Sequence, residues 1–552
     1  MTKKLIGLFL ILLFGFAYAD NFILLKEINL FLTQKEYLKA FVFLINYLLA
    51  VVAVIFLLLN KYTKFITLFM IFATMTLEIG CRNLSGSGFG YLDASLILHQ
   101  YSAADEGVKD YGKEFLFPLI ESLLFVVLIY FYTRSLRMYV KHSVFIGIVL
   151  SFITFGTSYS IMKASNKEKV VYPVVFKEPS ILFYAASNGL YVGKRKDVDI
   201  NAKKPFFKHI VYIVDESIRG DKLGINGFDK NTTPFLNAVS KNKNFYNYGI
   251  ASSGGVCSCY SNSILLTGIQ LNQLPDIENL SRKNPIIFQY AKKAGFETSF
   301  FDMQNSRDNR DNFLQPTDIK NYVDYSFFVV EDYKKIPRYQ RDLVGLKKLK
   351  DYIDKNKDKY TFTYFVKQGC HFSYLDKYPK NRNIFTPVLH DGGFWEWDKE
   401  TRPKFLNTYY NCVNWAVDEF FKNLYKDFNN SDTLIVYTSD HAQNLMEYFN
   451  IKQTHCIEGP APGVMAKVPL FIISMNNKPV PFKKENINKA SHFNLFGSVL
   501  YFMGYDLKDI NSLYGNTLFN NLSGQKRYFT SGDIFGRSPM YKNEFKLSET
   551  PK

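Results

Sequence analysis

Five apolar runs in the first 162 residues constrain this chain more than any other feature. They lie at roughly 5–19, 40–59, 65–80, 115–132 and 143–162. Most approach the ~20 residues an α-helix needs to cross a ~30 Å hydrocarbon core. The expected architecture is an N-terminal α-helical transmembrane bundle of about five helices over residues 1–162, a connector over 163–205, and an α/β domain over 206–552.

Loop charges orient the runs. Asn60-Lys61-Tyr62-Thr63-Lys64 follow the second run, and Arg134, Arg137 and Lys141 follow the fourth, whereas loop 81–114 carries three basic and five acidic residues. Short basic loops stay on the cytoplasmic side, so loop 81–114 faces outward. The first run, with Lys3-Lys4 before it and Ala17-Tyr18-Ala19 at its end, reads equally as a cleavable signal or as an anchor. Either choice leaves residues 163–552 on the extracytoplasmic side. Glu78 and Glu121 are expected near span ends, reaching the interface.

The remainder differs in kind. Of the formal net charge of +17, residues 163–552 carry +14. Hydrophobic residues at 47% exclude a disordered polyelectrolyte, and six Cys in 552 residues exclude a disulfide-dense scaffold. An extracytoplasmic location removes nucleic acid as a partner for the basic half and favours anionic lipid headgroups instead.

Five short β-branched and aromatic runs, 209–214, 298–301, 360–366, 433–438 and 468–473, alternate with helix-like segments at 233–241, 285–294, 341–354 and 404–425. This pattern predicts a mostly parallel sheet sandwiched by helices. Ligands of such folds lie beyond the carboxyl ends of the strands. Four strands deliver polar groups there: Asp215-Glu216-Ser217, Asp302-Met303-Gln304-Asn305, Lys367-Gln368-Gly369-Cys370-His371 and Ser439-Asp440-His441. Glu216, Asp440 and His441, with a hydroxyl as fourth ligand, would give the tetrahedral N/O shell that suits Zn²⁺.

A nucleophile is expected in Ser252-Ser253-Gly254-Gly255-Val256-Cys257-Ser258-Cys259, just before an apolar helical run. Free N–H groups at a helix N-terminus favour phosphate, and metal coordination activates a hydroxyl. Ser258 and Cys257 both remain candidates on this reasoning.

The ordered motifs resemble those of bacterial phosphoethanolamine transferases, membrane enzymes of the alkaline-phosphatase/sulfatase superfamily that modify lipid A or lipopolysaccharide core sugars. The resemblance runs through Asp215-Glu216-Ser217-Ile218-Arg219-Gly220-Asp221, Asn226-Gly227-Phe228, Asn231-Thr232-Thr233-Pro234, Gly369-Cys370-His371, Tyr378-Pro379, Tyr437-Thr438-Ser439-Asp440-His441 and Thr454-His455. It implies zinc held by Glu216, Ser258, Asp440 and His441, and His371 and His455 binding the transferred phosphate. In the family a Ser lies three positions after the nucleophile and a Ser or Thr-Gly about nine after. Ser261 and Thr267-Gly268 fit that register for Ser258, which stands where the family has Thr. The implied reaction has two steps: Ser258 attacks phosphatidylethanolamine and releases diacylglycerol, then the acceptor displaces the phosphoethanolamine ester. Asn305, Lys367 and Arg307 are candidate additional phosphate contacts.

The sequence departs from the family in its cysteines: the family usually has several disulfides, including one bracketing the nucleophile, and that pattern is absent, while Cys257, Cys259, Cys370 and Cys456 sit beside expected site residues. Gln443 stands where the family commonly has Glu, and Lys467 where it has His. His99, His142, His209, His390 and His492 fit no motif and are expected to be structural or exposed. The rivals are a phosphoglycerol transferase, a sulfatase-like hydrolase and a non-catalytic membrane protein. A sulfatase needs Cys or Ser followed by x-Pro-x-Arg, which neither Cys257 nor Cys259 has.

Overall fold

The computed structural model describes residues 2–99, 112–136, 142–165, 172–187, 191–307, 313–333, 335–390 and 397–548. Arg137, Lys141 and much of the acidic part of loop 81–114 lie outside these residues. The chain divides into two units, 1–189 with 537–539, and 190–536 with 540–552. The division falls inside the stretch read as a connector, where Val174–Ser187 is helical.

The apolar runs of the first unit become helices. Four are long and apolar enough to cross a membrane: Tyr37–Leu58, Lys61–Ser85, Gly112–Arg134 and Ser143–Ile161. The first run forms a helix that bends by 82° into Ile23–Thr33, a fifth span if the pair is one broken crossing. Asn60 caps the second of the four by accepting from Tyr62 N at 2.9 Å, and Gly86, at φ +79°, closes it. Glu78 corrects the interface reading. It is 3% exposed, pairs with Lys177 Nζ at 2.6 Å and accepts from Phe89 N at 2.8 Å. Its partner lies 99 residues away, so no local pattern could reveal the pair. Glu121 stays near the surface, accepting from Tyr18 Oη at 3.4 Å.

In the second unit all five expected strands form, as β1 (His209–Asp215), β3 (Glu297–Asp302), β5 (Thr361–Val366), β6 (Thr433–Ser439) and β7 (Lys467–Ser474). Two more complete the sheet, β2 (Phe245–Ser252) and β4 (Tyr325–Phe328), in the order β2-β7-β6-β1-β5-β3-β4. β2 is broken by a register shift between Asn247 and Gly249, and β4 has four residues, so neither shows a sustained apolar run. β7 runs antiparallel to both neighbours; the other pairs are parallel. Every residue of β1, β5, β6 and β7 is buried, which is why these strands read as continuous rather than alternating hydrophobic runs. Ile210, Tyr212 and Val214 join Phe362, Tyr364 and Leu434 in one core layer, while Tyr437 stacks on Phe471 and meets Phe421 edge-on in another. With β1 central, β5 and β6 flank it and β3 lies next to β5. Their carboxyl ends therefore open side by side.

Candidate active site

Glu216 leaves β1 and Asp440-His441 leave β6 at adjacent strand ends, because Asp215 pairs in register with Ser439. Ser258 opens the helix Ser258–Thr267, with Cys257 as its N-cap. The Ser261 hydroxyl accepts from Gly255 N at 3.1 Å and anchors the preceding loop, while Gly268, at φ +68°, terminates the helix. The spacing of Ser261 and Thr267-Gly268 after Ser258 thus has a local structural cause.

These elements bring the expected ligands together. Ser258 Oγ lies 3.1 Å from Glu216 Oε2 and 3.1 Å from His441 Nε2. His441 Nε2 is 3.4 Å from Glu216 Oε1 and 3.6 Å from Asp440 Oδ2. Glu216, Asp440 and His441 offer ligand atoms within 4.8 Å of one another, and all three are buried; Glu216, His371 and His455 form a second such group. The His371 ring meets His455 edge-on at 5.1 Å, and His455 stacks on His441 at 4.4 Å. Ser258, His371 and His455 are partly exposed, so the buried ligands form the floor and these three the open side.

The electrostatics suit a cation. Burial raises the Asp440 carboxyl well above its usual range, and the Glu216 charge beside it adds to the rise. Burial works the same way on Glu216, but the imidazoles of His441, His371 and His455 hold it far below the carboxylate range. Burial lowers His441 and His455 below the ordinary imidazole range, while the Glu216 charge opposes that fall. His441 Nδ1 lies 2.9 Å from the Ala442 carbonyl and donates to it, leaving Nε2 as the lone pair facing Ser258. Two buried carboxylates, a neutral imidazole and a hydroxyl fit Zn²⁺.

The surrounding residues hold the buried groups in place. Gln304 Nε2 donates to Glu216 Oε2 at 3.2 Å and to the Lys367 carbonyl at 2.6 Å. Ser217 donates its hydroxyl to Glu216 Oε1 at 2.6 Å. Gln443 Nε2 donates to the carbonyls of Ser217 (3.0 Å) and Cys370 (2.7 Å), while its Oε1 accepts from Tyr374 Oη at 2.7 Å. An ionised Glu could not donate to these carbonyls, which accounts for the amide at this position. Gly369, at φ +52°, passes so close to β1 that a Cβ would lie 2.4 Å from the Glu216 carbonyl.

Two expectations need correction. Lys367 does not reach the open site: it is fully buried, and its ammonium bonds Asp215 and the Ala416 carbonyl and lies 4.3 Å over the Phe420 ring. Cys257 is not a thiol nucleophile, because its sulfur is bonded to Cys456. Arg307 is exposed and engages Glu331, Ser326 and the Phe328 ring. Asn305 lies on the same loop as Gln304, its backbone N–H donating to Asp302 at 2.9 Å; its neighbour Gln304 is the residue that touches Glu216. The second disulfide joins Cys370 to Cys412. His209 and His492 are structural, bonded to Thr361 and Thr438.

A sheet that brings these groups together from the ends of β1 and β6, with a hydroxyl at a helix N-terminus, has the architecture of a sulfatase-type domain. The chain belongs to the sulfatase family, whose sequence model matches residues 208–505. Among curated relatives it is similar to the Kdo(2)-lipid A phosphoethanolamine 7''-transferases of Salmonella typhimurium (21% identical) and Escherichia coli (22% identical). The matches cover 52% and 54% of this chain, and the chain spans about half the length of these relatives, 48% and 52%. Among solved structures it resembles the integral membrane lipooligosaccharide phosphoethanolamine transferase A of Neisseria meningitidis, with a TM-score of 0.62 at 18% identity over 92% of this chain and 98% of that one. The zinc complex of the C-terminal periplasmic domain of Escherichia coli EcEptC gives a TM-score of 0.52 at 17% identity, over 63% of this chain and 96% of that one. These likenesses show the fold.

Proposed function

We propose that the chain is a multi-pass bacterial inner-membrane phosphoethanolamine transferase whose catalytic domain lies in the periplasm. Its donor is phosphatidylethanolamine and its acceptor lipid A or lipopolysaccharide core. The observation that carries this reading is the position of the Ser258 hydroxyl, at a helix N-terminus and 3.1 Å from both Glu216 and His441, with His371 and His455 lining the open side. The curated phosphoethanolamine transferases among the relatives support the choice of group.

Glu216, Ser258, Asp440 and His441 would hold zinc, which when bound lowers the proton affinity of a hydroxyl and offsets charge on phosphoryl oxygens. Ser258 attacks the phosphorus in line, and diacylglycerol leaves. The helix N–H groups, His371 and His455 take up the charge on the non-bridging oxygens. The acceptor oxygen then displaces Ser258. Catalysis of this kind depends on positioning, which the buried floor supplies through Ser217, Gln304 and Gln443.

A sulfatase reading has one observation in its favour, a 25% identical match to an ulvan-active sulfatase. The nucleophile segment lacks the x-Pro-x-Arg that reading needs. The test is donor choice: the zinc-loaded chain in vesicles of phosphatidylethanolamine or of phosphatidylglycerol, each with lipid A. Diacylglycerol release from phosphatidylethanolamine alone is expected. Release only from phosphatidylglycerol would replace ethanolamine with glycerol as the transferred head group.

A further inference from the structure

Each group facing the open side of the site is next in sequence to a disulfide-bonded cysteine: Cys257 precedes Ser258, Cys370 precedes His371, and Cys456 follows His455. One disulfide joins two of these groups directly. Cys257 and Cys456 are 199 residues apart in sequence and 4.5 Å apart at Cα, so the N-cap of the Ser258 helix is bonded to the residue after His455.

The two ends differ in how they are otherwise held. Ser258 sits on a ten-residue helix. His455 lies in a stretch, 447–462, with neither helix nor strand. Backbone bonds from Asn444 N to the Thr454 carbonyl (2.8 Å) and from Cys456 N to the Val256 carbonyl (2.8 Å) flank it. The carbonyl that receives Cys456 belongs to the residue before Cys257, so the disulfide and this hydrogen bond act as a pair of rungs. The buried groups Glu216, Asp440 and His441 directly follow β1 and β6, and the cross-link is bonded to none of them.

We infer that Cys257–Cys456 is a positioning cross-link that sets His455 against Ser258 for the phosphoryl step, and that it does so without governing metal affinity. This rests on the transferase reading above. Its consequence is redox dependence. A dithiol such as dithiothreitol delivers two electrons to the bond, yields two cysteine thiols and becomes a cyclic disulfide, and the His455 loop loses its covalent tie to the nucleophile helix. Oxidising surroundings outside the cytoplasm keep the tie closed.

The test is a double-mutant cycle on the zinc-loaded full chain. Formation of the covalent phosphoethanolamine adduct from phosphatidylethanolamine is timed in wild type, His455→Ala, Cys257→Ala/Cys456→Ala and the combined variant. Because contacting residues act non-additively, the combined variant should be within about 3-fold of the slower parent, although each parent is at least about 10-fold slow. Zinc affinity of Cys257→Ala/Cys456→Ala, measured against a competing chelator, should stay within about 3-fold of wild type, since Glu216, Asp440 and His441 keep their places after β1 and β6 and Ser258 keeps its place on its own helix. Multiplying losses, or zinc affinity falling in step with rate, would overturn the inference. So would an unimpaired Cys257→Ala/Cys456→Ala. If that variant does not fold, folded wild type and His455→Ala are briefly reduced with dithiothreitol, the opened pair being identified by alkylation and peptide mass spectrometry. Slowing of wild type alone is then expected, and equal slowing of both overturns the inference. An adduct absent from oxidised wild type itself overturns the transferase reading, and this inference with it.

Discussion

The side-chain amide of Gln304 stands 3.2 Å from Oε2 of Glu216, the oxygen that also receives the Ser258 hydroxyl. The other oxygen, Oε1, is bonded by Ser217 at 2.6 Å. The carboxylate is therefore held at both oxygens. Gln304→Ala should weaken zinc binding by about 10–100-fold, the usual cost of losing a partner of a metal ligand. Chelator competition measures this, with the melting temperature as control. Unchanged affinity would mean that Ser217 alone orients the carboxylate.

Lys367 serves the site from beneath. Its ammonium bonds Asp215, whose Oδ2 also accepts from Tyr437 Oη at 2.8 Å and whose Oδ1 accepts from Glu216 N at 2.9 Å. Burial lifts the Asp215 carboxyl to about 6 despite the lysine charge. Lys367→Met strands that carboxylate and should destabilise the domain by about 3–5 kcal/mol, whereas Lys367→Met with Asp215→Asn should recover part of the loss. Denaturant melts of the three proteins check this. A Lys367→Met variant of normal stability that fails only in donor binding would restore the phosphate-contact role.

His209 supplies a pH test at the opposite end of β1 from Glu216. Burial, with Lys208 nearby, depresses its imidazole from 6.5 to about 4, and Nδ1 lies 2.8 Å from Thr361 Oγ1. Between those values the unfolded chain takes up a proton that the folded chain refuses. Its contribution to stability is therefore complete above pH 6.5 and is lost as pH falls towards 4. His209→Asn should flatten the fall in melting temperature across that window. An equally steep fall would assign the acid sensitivity to other groups, such as His492, depressed by burial to about 3.

What the sequence reveals, and what it hides, follows from the range of the interactions. The strands β1, β5, β6 and β7 are legible because both faces are buried, and Glu216, Asp440, His441, His371 and His455 are legible because they follow strands or sit in short motifs. β2 is hidden by its bulge and β4 by its length. Lys367 directly follows β5, and a place at a strand end does not say which way an ammonium turns. It turns into the core, where Asp215 and the Phe420 ring receive it. Gln304, next to Asn305, is the residue whose amide donates to Glu216, and one residue of register is a difference no periodicity resolves in a loop. Cys412, 42 residues from its partner, carried no signal at all.

The central claim is that Ser258 carries the transferred group. Intact-protein and peptide mass spectrometry of the zinc-loaded chain, after exposure to phosphatidylethanolamine, tests it directly. A phosphoethanolamine adduct on the peptide containing Ser258, absent in Ser258→Ala, is the predicted result. Trapping at several times with metal occupancy verified and no adduct on that peptide, or an adduct that survives Ser258→Ala, would contradict it.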